Sequence, residues 1–343
     1  MDSMLIVVII AVTIALIFDV INGFHDAANS IATVVSTGVL SPRFAVLWAA
    51  FFNFIAMFIF VPKVADTISK IIDIDPTDFV FLYVVMMGLI GAIFWNLLTW
   101  YLGLPSSSSH ALLGGLAGAG IAYKGFGIIN WHKLEEAIMF IPLAPIIGAV
   151  GGFIFMIALY WIFRRWKPYK VDKLFRKGQL VSAALYSLGH GGNDAQKTMG
   201  IIIAILVSTG YYSKDVVLSL TDFSTSWIIF SCHIAMGIGT IFGGWRIVKT
   251  MGLKITKLKP IHGFVAETSG ALTLFLATTL GIPVSTTHTI SGSIVGVGAT
   301  TSLAGIKWSI AGKIVIAWFV TIPFSALAAA LCFWIVQYFH PGF

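Results

Sequence analysis

Two polar blocks interrupt an otherwise apolar sequence, PSSSSH at residues 105–110 and PVSTTH at residues 283–288. The proline of each block should end a helix, because proline lacks a backbone N–H and clashes with the preceding turn. The hydroxyl residues after it can cap a new helix, whose first N–H groups have no partner inside the helix. Free amides, the positive end of a helix dipole and several hydroxyl donors together favour an oxyanion. The predicted anion donors are Ser107, Ser108, Ser109, Ser285, Thr286 and Thr287.

Carboxylates provide the opposite chemistry in two further blocks, NGFHDAANS at residues 22–30 and HGGNDAQKT at residues 190–198. On a helix Asp26 shares a face with Asn29, because residues three apart are neighbours. Asp194 and Lys197 have the same spacing, and a purely structural ion pair is the alternative interpretation there. We expect the glycines of both blocks to let the chain unwind and expose carbonyl oxygens, which with carboxylate and amide oxygens suit a hard cation. The predicted cation ligands are Asn22, Asp26, Asn29, Asn193, Asp194 and Glu267.

The charges of these blocks predict that an anion and cations bind together. Asp26, Asp194 and Glu267 carry up to three negative charges, whereas Lys197 is the one Lys or Arg written into the blocks. Two like unit charges about 4 Å apart repel by about 4 kcal/mol at an effective dielectric near 20. We therefore expect cation-coupled anion transport. Sodium would use the oxygen ligands at fixed geometry, whereas protons would reside on the carboxylates or histidines.

The blocks also reveal an internal duplication that must position them. Aligning Asp26 with Asp194 aligns Gly23 with Gly191, and the two hydroxyl blocks align along their length. We divide the chain into residues 1–163, a basic cytoplasmic linker at residues 164–177, and residues 178–343. Duplicated membrane halves with matching Gly/Pro-broken segments are typical of a transporter's central site. The halves could be inverted or parallel; inversion is commoner for broken helices that meet at a centre. Serine-rich helix contacts without a ligand are the alternative, which the duplication disfavours.

Composition places this chain in a membrane. Hydrophobic residues make up 58% and charged residues 10%, against about 25% charged in a soluble domain. Apolar runs of roughly 18 residues predict about eight to ten spans. We predict an all-α polytopic membrane protein, an inverted-repeat transporter with two re-entrant helical hairpins and broken helices at the midplane. Because basic loops tend to lie on the cytoplasmic side, we predict cytoplasmic loops at the basic segments 164–177 and 246–259. We predict that the acidic segment 66–78 faces outward. These cytoplasmic loops account for the net charge of +7, so we do not expect a nucleic-acid partner.

The motifs NGFHDAANS, WNLLTWYLGLPSSSSH, GHGGNDAQKT and GIPVSTTH resemble the paired signatures of the inorganic phosphate transporter (PiT) family. The resemblance runs from Asp19 to about Trp334. It implies symport of inorganic phosphate with sodium or protons, an inverted-repeat fold and two hairpins whose hydroxyls hold phosphate. It puts the family's paired aspartates at Asp26 and Asp194. Further residues assigned to the site are Gln196 as a phosphate ligand and His25, Lys197, His110 and His288 as supporting residues.

Departures from the family pattern bear on the coupling ion. His25, Lys197 and Asn53 resemble the proton-linked bacterial branch, whereas Glu267 resembles the sodium-linked members. We expect sodium at the coupling residues, because an extra fixed carboxylate suits a metal cation. Phosphate and sodium are then carried ions, and no cofactor is expected. The resemblance implies a multi-pass protein of a prokaryotic cytoplasmic membrane, with a homodimer as one alternative for its assembly.

Three other functions are alternatives to sodium symport. Proton-coupled symport, or carriage of a metal–phosphate complex, would keep the same family. A divalent metal-ion transporter or channel could use His25, His110, His190 and His288 near the aspartates, although none of these histidines has a second one three or four residues away. An intramembrane hydrolase is disfavoured, because adjacent Ser109 and His110 point apart on a helix. We therefore do not expect an enzyme.

Overall fold

The computed structural model describes residues 3–69 and 79–339, and the chain forms α-helices and no strands over these ranges. Residues 70–78, most of the acidic segment predicted to face outward, lie outside the described residues. The α-helices, in chain order, are α1 (Ser3–Ser36), α2 (Pro42–Ile55), α3 (Lys63–Ser69), α4 (Val80–Leu102), α5 (Ser108–Lys124), α6 (Trp131–Phe163), α7 (Pro168–Ser208), α8 (Phe223–Phe242), α9 (Trp245–Lys249), α10 (Pro260–Thr279), α11 (Thr286–Thr301) and α12 (Trp308–Phe339). A π-helical turn, Thr250–Lys254, follows α9.

The order of elements repeats. A long helix opens each half, as α1 and as α7, and a long helix closes it, as α6 and as α12. Between them each half has a helix pair separated at a hydroxyl block, α4 with α5 and α10 with α11. A short 3-10 turn follows both second members, Phe126–Ile128 and Leu303–Gly305. This is the order that an internal duplication predicts.

Both predicted helix breaks are present. Helix α4 ends at Leu102 and the next residue, Gly103, has φ 67°, a left-handed conformation that glycine adopts without a Cβ clash. Pro105 follows before α5 begins. In the second half Gly281 has φ 74° and Pro283 follows it before α11. The second helix of each pair packs back against the first, so each pair is a helical hairpin.

Each hairpin packs against the last helix of the opposite half: α5 on α12, and α11 on α6. Glycines permit backbone contact at both interfaces. A Cβ at Gly114 would overlap the carbonyl oxygen of Ile322, and a Cβ at Gly292 would overlap that of Pro145. Small residues let membrane helices approach closely in this way. The halves are therefore interlocked by an exchange of hairpins.

The glycines of the aspartate blocks do not unwind the chain, so that prediction is wrong. Helices α1 and α7 run continuously through both blocks. A Cβ at Gly23 would overlap the carbonyl of Met236 on α8, and a Cβ at Gly191 would overlap that of Asn53 on α2. The glycines instead allow neighbouring helices to approach the two acid-bearing helices.

The basic segments are mostly helical rather than loops. Residues 168–177 form the first turns of α7, so only residues 164–167 connect α6 to it. Residues 246–254 lie in α9 and the π-helical turn, and residues 255–259 connect to α10. Proline at the first position of α7 favours this start, because its missing N–H is not needed there.

The polarity of the fold is that of a membrane protein. Large apolar side chains cover the outside, for example Leu276 at 63% exposed, while Asp194 and Glu267 are at most 1% exposed. Among the described residues, five helices are long and apolar enough to span a membrane: α1, α4, α6, α8 and α12. By this criterion of length and hydropathy, the described residues do not reach the eight to ten membrane spans expected from the sequence. Helix α2 has only 14 residues, and α7 and α10 carry polar site residues.

Candidate functional site

The N-terminus of α11 meets the acids of α1 and α7 in the centre of the protein. Thr286 Oγ1 donates a hydrogen bond to Asp194 Oδ2 at 3.1 Å, and Thr287 Oγ1 donates to Asp26 Oδ1 at 3.4 Å. The amide of Asn29 donates to both hydroxyls, at 3.2 and 2.9 Å. All five side chains are buried. The structure thus brings a predicted anion block together with both predicted aspartates.

Lys197 connects the two hairpins to the same centre. Its ammonium group lies 2.5 Å from Asp194 Oδ1 and 2.5 Å from Ser109 Oγ, and it donates to the carbonyl of Val284 at 3.0 Å. A lysine ammonium has three N–H donors, so these three acceptors use all of them. The ion pair considered from the spacing is therefore formed, and it also fixes the start of α5 near the break before α11.

The two hairpins present the same capped helix start. Ser107 Oγ accepts a hydrogen bond from the His110 amide at 3.2 Å, and Ser285 Oγ accepts one from the His288 amide at 3.3 Å. The preceding amides, at residues 108–109 and 286–287, occupy helix positions that have no internal acceptor. Ser108 Oγ has no hydrogen-bond partner among the described residues. These buried donors are what an oxyanion needs.

Histidines flank both aspartates. His25 Nδ1 lies 2.7 Å from Asp26 Oδ1, and its Nε2 lies 3.1 Å from Thr99 Oγ1. His190 Nε2 lies 3.2 Å from Asp194 Oδ2. One ligand atom each of Asp26, His190 and Asp194 lies within 4.8 Å of the others. These three side chains could hold one cation.

A second acidic pocket surrounds Glu267. Its carboxylate accepts hydrogen bonds from Thr33 Oγ1 at 2.6 Å, Gln179 Nε2 at 2.9 Å and Ser182 Oγ at 2.5 Å. Sequence reasoning missed these three residues. The signal available was helical spacing, since Thr33 follows Asn29 by one turn on α1. Glu267 belongs to a pocket of its own rather than to the Asp26, His190 and Asp194 group.

Two assigned amides of α7 contact the backbone of neighbouring elements. Gln196 Oε1 accepts from the Val64 amide at 2.9 Å, and Gln196 Nε2 donates to the Val61 carbonyl at 3.2 Å. Both polar atoms of the Gln196 side chain thus bond to backbone groups here, and its assignment as a phosphate ligand stays a prediction. Asn193 Nδ2 donates to the Ile282 carbonyl at 3.3 Å and to Thr278 Oγ1 at 3.0 Å, and so connects α7 with the end of α10.

The histidines that end the hydroxyl blocks contact each other. The rings of His110 and His288 lie 4.7 Å apart, centroid to centroid, and His288 stacks on Trp318 at 4.1 Å. Asn22, the remaining predicted ligand, is buried on α1, and its side-chain oxygen has no hydrogen-bond partner among the described residues. The histidine pair therefore joins the first turns of the two hairpins.

Comparison with known proteins agrees with this architecture. A family model described as the phosphate transporter family matches residues 22–329. The chain is 54% identical over 322 residues to a probable low-affinity inorganic phosphate transporter of Rhizobium meliloti, covering 94% of each chain. It is 46% identical over 338 residues to a protein of the same description from Bacillus subtilis, covering 98% of this chain and 99% of that one. A solved structure described as the sodium-dependent phosphate transporter matches with a TM-score of 0.86 and 25% identity, over 96% of this chain and 99% of that chain.

The family match spans both halves, both hairpins and both aspartate helices. The relatives are transporters and not enzymes. The apolar outer surface and the apolar helices are those of a multi-pass membrane protein. The chain therefore belongs to the phosphate transporter family, as its four motifs predicted.

Proposed function

We propose that this protein is a secondary active transporter that carries inorganic phosphate into the cell together with sodium, by alternating access. One observation carries the proposal. The hydroxyls suited to hold phosphate, on Thr286 and Thr287, donate to the carboxylates suited to hold a cation, on Asp194 and Asp26. The predicted anion donors and cation ligands are thus direct neighbours.

This contact supplies a reason for coupling. A carboxylate oxygen that coordinates sodium becomes a weaker acceptor for a hydroxyl, because its charge is partly neutralised. Sodium on Asp26 or Asp194 would therefore release Thr287 or Thr286 to donate to phosphate. Hydrogen bonds to a charged acceptor are about twice as strong as neutral ones. Without the cation, phosphate would compete with a carboxylate for each donor and would also be repelled by it.

The phosphate ligands would come from both hairpins. Ser108 Oγ is buried and has no hydrogen-bond partner among the described residues, and Ser109 Oγ accepts a hydrogen bond from the ammonium group of Lys197. The amides at residues 108–109 and 286–287 add backbone donors. Ser107 and Ser285 primarily cap their helices. Phosphate would thus bind between two helix starts, where both dipoles favour an anion.

Sodium is proposed over the proton as coupling ion on two grounds. Oxygen ligands cluster around the acids: Asp26 adjoins the hydroxyl of Thr287, and Glu267 adjoins those of Thr33 and Ser182. Sodium, a hard cation, suits such oxygen ligands, as calcium and magnesium do. The structural neighbour with a TM-score of 0.86 is described as sodium-dependent. Sodium and phosphate are carried ions here, and the proposed cycle needs no cofactor.

Uptake of radioactive phosphate into proteoliposomes tests the proposal. We expect an inward sodium gradient to drive accumulation, and replacement of sodium by potassium at constant pH to abolish it. Accumulation driven by an imposed proton gradient in sodium-free buffer would show that sodium is not the coupling ion. No phosphate uptake under either gradient would refute symport altogether.

Threonine-to-valine variants test the contact that carries the proposal. Thr286→Val and Thr287→Val remove one hydroxyl each and keep the side-chain shape. A hydrogen bond to a charged group contributes about 1.5–3 kcal/mol, so we expect KM for phosphate to rise roughly 10- to 150-fold. Thr273→Val is the matched control, because among the described residues its hydroxyl donates to the Ser269 carbonyl of its own helix and to no site residue. An unchanged KM in both site variants would remove the α11 hydroxyls from the phosphate site.

Carriage of a divalent metal–phosphate complex is a second candidate, favoured by the grouping of Asp26, His190 and Asp194 within 4.8 Å. Imidazole and carboxylate together suit a divalent metal better than sodium. Uptake of radioactive phosphate with and without a chelator separates the two. Loss of uptake on chelation, restored by magnesium or manganese with no sodium present, would replace the sodium proposal.

A further inference from the structure

Asp19 is a buried acid that the proposed site does not use. It lies on α1 two turns before Asp26 and is 0% exposed. Neither of its carboxylate oxygens has a hydrogen-bond partner among the described residues. This differs from Glu267, whose carboxylate accepts three hydrogen bonds. An ionisable side chain inside a membrane protein is costly, so an unpaired one points to a ligand.

Two more unpaired oxygens lie beside the Asp19 carboxylate. They belong to the side chains of Asn22 on α1 and Thr198 on α7, both of which lie near enough to Asp19 to interact with its carboxylate. Asn22 Oδ1 and Thr198 Oγ1 are buried, and neither has a partner among the described residues. Two carboxylate oxygens, one amide oxygen and one hydroxyl oxygen are a ligand set for a hard cation.

Among the described residues, no fixed cation is paired with Asp19. Lys197 lies near enough to attract it, but its three N–H donors go to Asp194, Ser109 and Val284. Asp194 repels Asp19 at the same time. Cys232 on α8 lies near enough for its thiol to interact with the Asp19 charge, and a thiol supplies no positive charge. The charge of Asp19 can then be removed by a proton or balanced by a mobile cation, and the four neighbouring oxygens suit the cation.

We propose that Asp19, Asn22 and Thr198 form a sodium site distinct from the Asp26 and Asp194 group. The inference deepens the proposed symport, since a cation held here would be an additional coupling ion. The site lies between α1 and α7, the helices that also carry Asp26 and Asp194. Occupancy would draw Asn22 and Thr198 toward one ion, and so would bring the two aspartate helices together before phosphate binds.

Sodium binding measured without phosphate tests the site independently of transport. The purified protein in detergent is heated in sodium chloride or in potassium chloride at equal ionic strength, and the sodium-dependent rise in Tm is titrated. Asp19→Asn removes the charge and keeps the shape. Thr198→Val removes one neutral ligand and leaves Asp19 intact. Asp215→Asn is the control, because it makes the same charge change at an exposed position.

We expect Asp19→Asn to reduce the maximal sodium-dependent rise in Tm, and Thr198→Val to raise the half-maximal sodium concentration roughly 5- to 10-fold, as loss of one neutral contact predicts. In proteoliposomes, parallel uptake of radioactive sodium and phosphate should show about one sodium fewer per phosphate for Asp19→Asn. Asp215→Asn should match the wild type in both measurements. If Asp19→Asn does not fold, the Thr198→Val titration decides.

Unchanged sodium titrations in Asp19→Asn and Thr198→Val would overturn the site, even if wild-type uptake is sodium-driven. Conversely, wild-type uptake that ignores sodium would refute the proposed symport. A sodium-dependent Tm that requires Asp19 would still support the site in that case. No sodium effect on the wild-type Tm would overturn the site directly.

Discussion

Replacing Lys197 with methionine removes an ammonium group from the centre of the site and keeps most of the side-chain volume. Lys197 Nζ lies 2.5 Å from Asp194 Oδ1, and both side chains are at most 2% exposed. At that distance and an effective dielectric near 20, the gross attraction is about 7 kcal/mol. Desolvation of each ion costs several kcal/mol and offsets most of that attraction. Removal of one partner, however, leaves the other charge buried and unpaired, at a cost of about 3–5 kcal/mol.

A double-mutant cycle measures this coupling. Lys197→Met and Asp194→Asn are made singly and together, and thermal unfolding is followed in detergent. We expect each single variant to lose several degrees in Tm and the double variant to recover most of the loss. The control is the exposed pair of Arg176 and Asp172, at 2.9 Å, where an ion pair contributes only about 0.2–1 kcal/mol. If the two single losses simply add in the double variant, the charges are not paired as the structure shows.

Three further predictions concern the Glu267 pocket, the contact between α5 and α12, and the start of α11. Glu267→Gln keeps the side-chain shape but removes the charge, so the sodium concentration for half-maximal uptake should rise at least about 10-fold; an unchanged value would exclude Glu267 from coupling. Gly114→Ala would force a Cβ against the Ile322 carbonyl and should lower stability by about 1–3 kcal/mol in thermal unfolding, whereas Gly312→Ala, which meets nothing within 4 Å, should have no such effect. Ser285→Ala removes the cap of α11 and should cost about 1 kcal/mol; equal Tm values for variant and wild type would argue against this cap.

The hairpins could be predicted because their signals are local. Pro105 and Pro283 stop a helix by their own covalent structure, and the serines after them cap the next helix at fixed spacing. The spacing of three residues likewise predicted the pairing of Asp194 with Lys197. These features needed no knowledge of which helices are neighbours. The breaks and caps were therefore correct to within a residue or two.

What failed depended on neighbouring helices. Gly191 was expected to let α7 unwind. Instead, its missing side chain lets the backbone of α2 pack against α7. No sequence pattern near Gly191 identifies α2 as its neighbour. The hydrogen bonds of Gln196 with the backbone at Val61 and Val64 likewise depend on a neighbouring segment that the sequence around Gln196 does not identify. The donors to Glu267 come from 234, 88 and 85 positions away. That no hydrogen-bond partner reaches the Asp19 carboxylate among the described residues also depends on the surrounding helices, which the sequence near Asp19 does not identify.

The duplicated halves repeat the scaffold but not the charges, and this asymmetry bears on coupling. Asn29 follows Asp26 at the spacing with which Lys197 follows Asp194. The amide of Asn29 holds the hydroxyls of α11, whereas the ammonium of Lys197 holds Ser109 at the start of α5. The ammonium of Lys197 thus pairs with Asp194, whereas Asp26 has an uncharged amide at the matching position. A lysine at both positions would balance both aspartates permanently, and phosphate would then have less need of cations. With one lysine, negative charge remains near the site, and we propose that ions travelling with the substrate balance it, which is the condition for symport.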